Sequence, residues 1–271
     1  MKIFRNKIEL LKEISNVKNI AFVPTMGSIH DGHLSLINKA NKISKNILVS
    51  IYVNPKQFDT GFDYKRYPRN INKDIALLKK VKVKFLYLPD YKDLYSFVPK
   101  LPIYLNKFSQ ELCGKFRPRH FKGVINVINR FIEILKPSLI LLGRKDFQQL
   151  TLIKLHIKKN NILTKVVSCP TIREINGVAL SSRNLKLNKS QIKTAAQIYK
   201  YLKKNKRIIF SKNLKKQQLE IEKNIKFLGA EKIDYIKFIN LKTLKEPKII
   251  KEKYNVFVAY YLGGIRLIDN L

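Results

Sequence analysis

Two histidines, His30 and His33, lie three residues apart and enclose Gly32 in the segment VPTMGSIHDGHLSLI. In a chain with four histidines and ten glycines among 271 residues, chance would produce H-x-G-H on the order of 0.002 times. The apolar run before the motif predicts a strand, and the residues after it predict a helix. Backbone N–H groups and the helix dipole favour an anion at such a turn. Imidazole N–H groups can donate to a phosphate oxygen whose charge grows during attack, so the motif predicts a nucleotide-phosphate site.

Two other interpretations of this segment compete with the nucleotide site. One is a helix cap that carries two ordinary surface histidines. The other is a zinc pair, but cysteine or carboxylate ligands at suitable spacing are absent from the neighbouring sequence. The nucleotide-phosphate site is therefore the preferred interpretation.

The elements that must position the motif alternate between strand and helix up to about residue 170. Near-continuous apolar strands between amphipathic helices are typical of a parallel sheet covered on both faces. We therefore expect an α/β fold, a Rossmann-like doubly wound parallel sheet that binds ligands beyond the carboxyl ends of its strands. The predicted strands are 19–25, 46–55, 83–90, 137–143 and 163–170, and the predicted helices are 33–44, 72–82, 121–135 and 145–159.

The pattern changes after Ile172. Two amphipathic segments (189–204 and 213–229) predict helices, and three short apolar segments (232–241, 255–264 and 265–271) predict strands with a Gly-Gly turn between the last two. This order indicates a smaller C-terminal α+β domain with an antiparallel sheet. We expect domains at 1–172 and 173–271, with the junction near the polar segment TIREINGVALSSRN.

Composition excludes several classes of protein. A hydrophobic fraction of 45% is too high for a largely disordered chain, and Cys113 and Cys169 form no C-x-x-C pair. No apolar run reaches the length of a membrane span, and the N-terminus lacks the core of a signal peptide. The formal charge of +36 could attract nucleic acid, but the lysines are spread over nearly every segment, as A/T-rich codon usage would produce. We expect a cytoplasmic protein with neither a nucleic-acid nor a membrane partner.

Four blocks carry a family resemblance. The segment PTMGSIHDGH resembles the ATP-binding signature of the pantothenate synthetase (pantoate–β-alanine ligase) family, a member of the H-x-G-H nucleotidyltransferase group. SIYVNPKQF (50–58), GRKDFQQL (143–150) and ALSSRN (179–184) are similar to blocks of the same family, in the same order. FRPRHFKGV and GGIRLIDN also look like family sequence. The resemblance runs nearly end to end.

The resemblance implies an ATP-dependent condensation of (R)-pantoate with β-alanine to pantothenate. The reaction would pass through pantoyl adenylate and release diphosphate and AMP, with Mg²⁺ bound to the substrate ATP. A carboxylate is already ionised at pH 7, so the first step would need positioning and charge neutralisation and no general base. The resemblance also implies a homodimer, and a C-terminal domain that closes as a lid over the adenylate.

Site residues follow from the same resemblance. The implied catalytic residues are His33, described in the family as the proton donor, His30 and Lys145. Gln57 and Gln149 are implied for pantoate, and Gln57 also for β-alanine. The family often has an acidic pair near magnesium where this chain has Lys73 and Asp74, so Asp74 is a possible ligand and the protein ligands of magnesium stay open. The implied ATP contacts are Met26, Gly27, Ser28, Ile29, His30, Asp31, Gly32, His33, Gly143, Arg144, Lys145, Asp146, Ile172, Leu180, Ser181, Ser182 and Arg183.

The chain departs from the family pattern at two of these blocks. Arg144 stands where the family usually has Glu, so Lys145 is expected to matter more than Arg144. Arg119 replaces a usually small residue, and His120 beside it either lines the site or packs on a helix start. His156, inside a predicted helix, is expected to be structural.

Two rival functions compete with this interpretation, one from the same enzyme group and one from a different class of protein. A nucleotidyltransferase of the same group would keep the AMP on its product, and release of free AMP would exclude it. An RNA-binding protein would use the basic surface, but no RNP-like aromatic pattern or arginine-rich cluster supports it.

Overall fold

The computed structural model describes residues 1–207, 214–248 and 253–271. The chain divides into two compact units, Met1–Thr171 and Ile172–Leu271, one residue before the predicted boundary.

A six-stranded, all-parallel sheet is the centre of the first unit, all of whose residues are described. Its strands are β1 (Lys2–Phe4), β2 (Ile20–Thr25), β3 (Asn46–Ile51), β4 (Phe85–Tyr87), β5 (Leu139–Gly143) and β6 (Lys165–Cys169). Its helices are α1 (Lys7–Ile14), α2 (Asp31–Asn41), α3 (Gly61–Lys65), α4 (Ile71–Lys79), α5 (Tyr91–Tyr95), α6 (Cys113–Phe116), α7 (His120–Leu135) and α8 (Phe147–Lys159). Short 3₁₀ helices span Pro55–Gln57, Lys107–Gln110 and Arg144–Asp146.

Both faces of this sheet are covered. Val23 of β2 belongs to a buried cluster with Ile37 of α2 and Leu78 of α4. The next residue back along the strand, Phe22, points to the opposite face, as strand geometry requires, and its ring lies 5.2 Å from that of Phe131 in α7. Helices on both faces explain why the strands are almost continuously apolar.

The strand order is β1-β4-β3-β2-β5-β6. The chain therefore leaves β2 toward β3 on one side and returns to β5 on the other, which makes the β2/β5 boundary the switch point of the sheet. The register between these two strands covers only Ala21–Leu139 and Phe22–Ile140. Pro24, which has no N–H to donate, follows where that pairing has stopped. The two strands separate at their carboxyl ends, where open parallel sheets bind their ligands.

The second unit is an α+β arrangement. Its described elements are the helices α9 (Lys189–Asn205) and α10 (Leu214–Phe227) and the antiparallel strands β7 (Lys232–Asn240), β8 (Tyr254–Leu262) and β9 (Ile265–Asn270). Gly263 and Gly264 form the β8–β9 turn with φ of 57° and 68°, which favours glycine. The carboxylate of Glu231 accepts hydrogen bonds from both turn amides.

The predicted fold class is confirmed: a Rossmann-like parallel sheet flanked by helices, and a smaller unit with an antiparallel sheet. The predicted strands and helices are present. The first residue of the predicted helix 213–229 lies outside the described residues. The sequence did not predict β1, α1 or the short helices α3, α5 and α6. In the described part of the chain, no helix has the length and apolar character to cross a membrane.

Candidate active site

The H-x-G-H segment forms the turn from β2 into α2, at the switch point of the sheet. Helix α2 begins at Asp31, two residues earlier than predicted, because His30 is its N-cap. The Gly32 amide donates to Nδ1 of His30 over 3.1 Å. Since Nδ1 accepts this bond, the neutral ring carries its proton on Nε2. The cap therefore leaves the Nε2–H of His30 available as a donor.

The two imidazoles of the motif form a pair. Their ring centroids are 4.1 Å apart and their planes differ by 33°. Nδ1 of His33 is buried and has no hydrogen-bond partner in the described part of the chain. Such an orphaned atom costs free energy unless a ligand or water satisfies it. The pair is therefore unlike two ordinary surface histidines.

Both rings are neutral near pH 7. Burial, followed by the charges of His30 and Lys145, lowers the pKa of His33 to about 3. Burial and Lys145 lower the pKa of His30 to about 4, against the opposing effect of Asp31 and Asp146. Because the charge of Lys145, which follows β5, contributes to both shifts, the turns after β2 and β5 lie within electrostatic range of each other.

The turn after β5 contains the second predicted ATP block. Gly143 ends the strand, and the space around its Cα is open on the side where a Cβ would stand. Lys145 Nζ lies 3.8 Å from a carboxylate oxygen of Asp146. Arg144 is exposed, and its Nε donates to the Ser168 hydroxyl on β6 over 3.0 Å. Lys145 therefore remains the basic residue of this block that acts on the histidine pair.

The Asp74 carboxylate is buried and hydrogen-bonded, so it is not available in the way that a metal ligand must be. It is 2% exposed, and its two oxygens accept hydrogen bonds from the amides of Ser28 and Ile29 over 2.8 and 2.7 Å. Among the described residues, no group of three or more His, Cys, Asp or Glu side chains could hold a metal. The first unit therefore provides a poor fit to a protein-held magnesium ion.

Gln57 lies in the 3₁₀ helix that follows β3, and it is buried. Its amide nitrogen contacts the sulfur of Met26, the residue that follows β2. Asn54 caps this helix by accepting from the Lys56 amide, and it donates to the carbonyl of Gly123 in α7 over 3.1 Å. The predicted pantoate residue Gln57 and the predicted ATP residue Met26 are therefore neighbours.

The start of α7 holds the Gln57 backbone in place. The Gln57 carbonyl accepts from Nδ1–H of His120 over 2.8 Å and from Nη2 of Arg117 over 3.1 Å. Arg117 also forms an ion pair of 2.9 Å with Asp59, and Arg119 donates to the Asp59 carbonyl. The FRPRHF block is therefore a brace for residues 57–59. It includes His120, whose role the sequence left open.

The adjacent glutamines of α8 have different environments. Gln148 is buried, and its amide bonds the backbone of Phe108, Glu111 and Cys113. Gln149 is half-buried, and its side chain makes no hydrogen bond in the described part of the chain. Gln148 is structural, and Gln149 is the one free to meet a ligand.

His156, the fourth histidine, is fully buried. It accepts from the Tyr104 amide at Nδ1 and pairs with Asn129 through Nε2 over 3.2 Å. Asn129 in turn donates to the Leu101 carbonyl. The expected structural role of His156 fits this position.

The third predicted ATP block lies in the second unit. The Leu180 amide donates to the carbonyl of Ile172 over 3.0 Å, and Ser181 caps the 3₁₀ helix Ser182–Lys186. Arg173 and Asp269 form a two-point ion pair, with N–O distances of 2.6 and 2.8 Å, which joins this segment to β9. The contacts of Ile172, Leu180, Ser181, Ser182 and Arg183 with ATP stay predictions.

An all-parallel sheet with two neutral imidazoles and a lysine at its switch point is the arrangement expected of a Rossmann-like enzyme of the H-x-G-H type. The family model of pantoate-β-alanine ligase matches residues 2–271. The chain therefore belongs to the pantoate–β-alanine ligase (pantothenate synthetase) family, a family of ligases.

Relatives support this assignment along the whole chain. The pantothenate synthetase of Thermodesulfovibrio yellowstonii is 38% identical over 271 residues, which cover 97% of this chain and 96% of the relative. That of Carboxydothermus hydrogenoformans is 39% identical over 256 residues, which cover 93% and 90%.

Two crystal structures are similar to the fold. Pantothenate synthetase from Thermus thermophilus has a TM-score of 0.92 and 31% identity, with 100% of this chain and 99% of that chain covered. Pantoate-β-alanine ligase from Francisella tularensis, described as a complex with β-γ ATP and β-alanine, has a TM-score of 0.85 and 38% identity, with 100% and 97% covered.

Proposed function

We propose that this chain joins (R)-pantoate to β-alanine through a pantoyl-adenylate intermediate. In the first step, a pantoate carboxylate oxygen attacks the α-phosphorus of ATP, and the bond to the bridging oxygen breaks to release diphosphate. In the second step, the β-alanine nitrogen attacks the acyl carbon, loses a proton and displaces AMP. The products are pantothenate, AMP and diphosphate.

The observation that carries the proposal is the neutral imidazole pair beside Lys145, at the switch point of the sheet. The first step brings two anions together, so the site must reduce their repulsion. Lys145 supplies a full positive charge, and the imidazoles supply N–H donors aimed at growing phosphate charge. A neutral His33 acts first as a hydrogen-bond donor, and it accepts a proton only when phosphate charge raises its pKa.

Gln57 supports the choice of pantoate. It contacts Met26 of the ATP block, and its backbone is braced by Arg117 and His120. Neutral amides can hold a carboxylate and hydroxyls through donors and an acceptor without a strong ground-state ion pair. We assign pantoate to Gln57 and Gln149, β-alanine to Gln57, and ATP to the residues that the family resemblance implies.

Magnesium belongs to the substrate in this proposal. Asp74 is occupied by two backbone amides, and magnesium commonly binds through substrate phosphates with few protein ligands. We assign no step to the ion. Omitting Mg²⁺ should abolish turnover at any ATP concentration.

The deciding experiment is AMP release from ATP and pantoate, with and without β-alanine. Release of AMP together with pantothenate, dependent on β-alanine, supports the ligase. His33→Ala should reduce this rate by at least about 100-fold, whereas Glu9→Gln on the exposed surface of α1 should leave it unchanged. AMP that stays on a product would indicate the nucleotidyltransferase instead, and no AMP with pantoate would contradict the proposal.

We further propose a homodimer and a cytoplasmic location, where ATP is available. Light scattering of the purified chain tests the dimer through its mass, against 31.7 kDa for one chain. Fractionation of expressing cells tests the location.

A further inference from the structure

The loop before the histidine pair encloses a carboxylate of the protein itself. Asp74 Oδ2 lies 2.8 Å from the Ser28 amide, and Oδ1 lies 2.7 Å from the Ile29 amide. A Cβ on Gly27 would stand 2.9 Å from Oδ2, so the loop rests directly on the carboxylate. The contact joins α4 to a loop that lies more than forty positions earlier in the sequence.

The conformation of the loop fits an anion. Gly27 and Ser28 have φ of 78° and 53°, and Ser28 is a residue that rarely adopts the left-handed region. Successive amides in such a conformation form a concave site for negative charge. Hydrogen bonds to an ionised carboxylate are stronger than those between neutral groups, so they offset the unfavourable backbone of Ser28.

Helix α4 fixes the position of this anion. Asn70 caps the helix by accepting from the Lys73 amide over 3.1 Å, and the Asp74 amide donates to the Asn70 carbonyl over 3.0 Å. Asp74 is therefore in the first turn of a capped helix and is 2% exposed. A displacement of the helix or of the carboxylate would therefore either break these two hydrogen bonds or move the loop.

Two amides that the sequence assigned to a nucleotide are consequently occupied. The sequence predicts that the backbone of this turn approaches phosphate, but Ser28 and Ile29 donate to Asp74. The Gly32 amide donates to His30. The side-chain donors of this location are the two imidazoles and Lys145. The placement of the two imidazoles depends on the loop that Asp74 holds, whereas Lys145 follows β5.

We propose that Asp74 is a positioning residue: its carboxylate holds Ser28 and Ile29 so that His30 and His33 are correctly placed for adenylate formation. The inference rests on the proposed function. Asp74 touches no reacting atom, and it acts through the loop backbone.

The test compares Asp74→Asn with the wild-type enzyme. The new NH₂ group must face one of the two backbone N–H groups, so one hydrogen bond is lost while the shape is kept. The expected result is a fall of about 10- to 100-fold in kcat for pantoate-dependent diphosphate release, with little change in the KM for pantoate. Asp74→Glu keeps the charge but displaces it by one methylene, and it should give a smaller fall.

Two controls separate this role from others. Glu9→Gln makes the same charge change in the first turn of α1, and Lys73→Gln changes the exposed neighbour of Asp74; both should keep wild-type kcat. NMR provides a readout that general destabilisation would not give. In Asp74→Asn, the Ser28 and Ile29 amide signals and the His30 and His33 imidazole signals should move, while those of His156 should not.

Two results would overturn the inference. One is wild-type kcat in Asp74→Asn. The other is a loss of activity in which His156 signals move as much as those of His30 and His33. A wild-type chain that makes no AMP from pantoate would instead refute the proposed function, and the NMR comparison would still decide whether Asp74 places the histidines.

Discussion

His120 donates its Nδ1–H to the carbonyl oxygen of Gln57 across 2.8 Å. The donor is unambiguous, because a carbonyl oxygen can only accept. In the neutral ring the second nitrogen carries a lone pair, and Nη1 of Arg117 lies 3.4 Å from it. A histidine at the start of α7 thereby fixes the backbone of a proposed substrate residue through its ring Nδ1–H.

His120→Ala should weaken pantoate binding more than it weakens the fold. The Gln57 carbonyl loses one of two donors, while Arg117 keeps the other. We expect the KM for pantoate to rise about tenfold, with a thermal midpoint close to wild type. His120→Gln, which restores a donor, should recover part of the loss. Lys122→Ala is the control, because Lys122 is an exposed residue in the first turn of the same helix. Equal kinetics in His120→Ala and Lys122→Ala would contradict the brace.

Gly123→Ala should disturb the same loop by steric contact. A Cβ at this position would stand 2.2 Å from the Lys56 carbonyl oxygen and 2.7 Å from the Gln57 nitrogen. Overpacking of this kind costs about 1–3 kcal/mol of unfolding free energy. Gly61→Ala is the matched control for Gly123→Ala, because nothing lies within 4 Å of the methyl group that it adds. Urea unfolding followed by circular dichroism measures both, and equal midpoints would count against the close approach.

Acid should destabilise the protein partly through His156. Burial lowers the pKa of this imidazole to about 4 from 6.5, so the unfolded state binds the proton first as pH falls. The neutral form therefore contributes stability that is complete above pH 6.5 and is lost as pH falls toward about 4. The loss amounts to about 3 kcal/mol. Unfolding free energies of His156→Gln should depend less steeply on pH over this range; parallel curves would exclude the effect.

Asp269→Asn should loosen the segment that carries the third predicted ATP block. The Arg173 and Asp269 side chains are only 19% and 10% exposed, and removing one member of a buried pair costs about 3–5 kcal/mol. Hydrogen exchange at the Leu180 amide should accelerate. Glu222→Gln, which removes the exposed pair with Lys226, should change stability by less than about 0.5 kcal/mol. Unchanged exchange at Leu180 in Asp269→Asn would contradict this coupling.

Sequence reasoning succeeded where one local signal determines the structure. Apolar runs identified β2 and β5, and the turns that follow them identified the two blocks that meet at the switch point. Strand β1 has three residues and α5 has five, which is too short for either periodicity to appear.

Other features of the site depend on contacts that no local pattern reports. Asp74 meets Ser28 through tertiary packing, so the sequence suggested a magnesium ligand where the structure has a loop anchor. Gln148 and Gln149 are identical in type, and only the rotation of α8 against its neighbours turns one toward the core. The donor role of His120 likewise follows from the path of the Gln57 backbone.

Because the His30–His33 pair is neutral, ATP binding should have a proton stoichiometry that the overall reaction does not reveal. A polyanion that binds beside the rings favours their imidazolium forms, so complex formation should draw hydrogen ions from the medium. Calorimetric heats of ATP binding should then vary linearly with the ionisation enthalpy of the buffer, and the slope counts the ions taken up. His156, enclosed in the core, would contribute nothing to that slope.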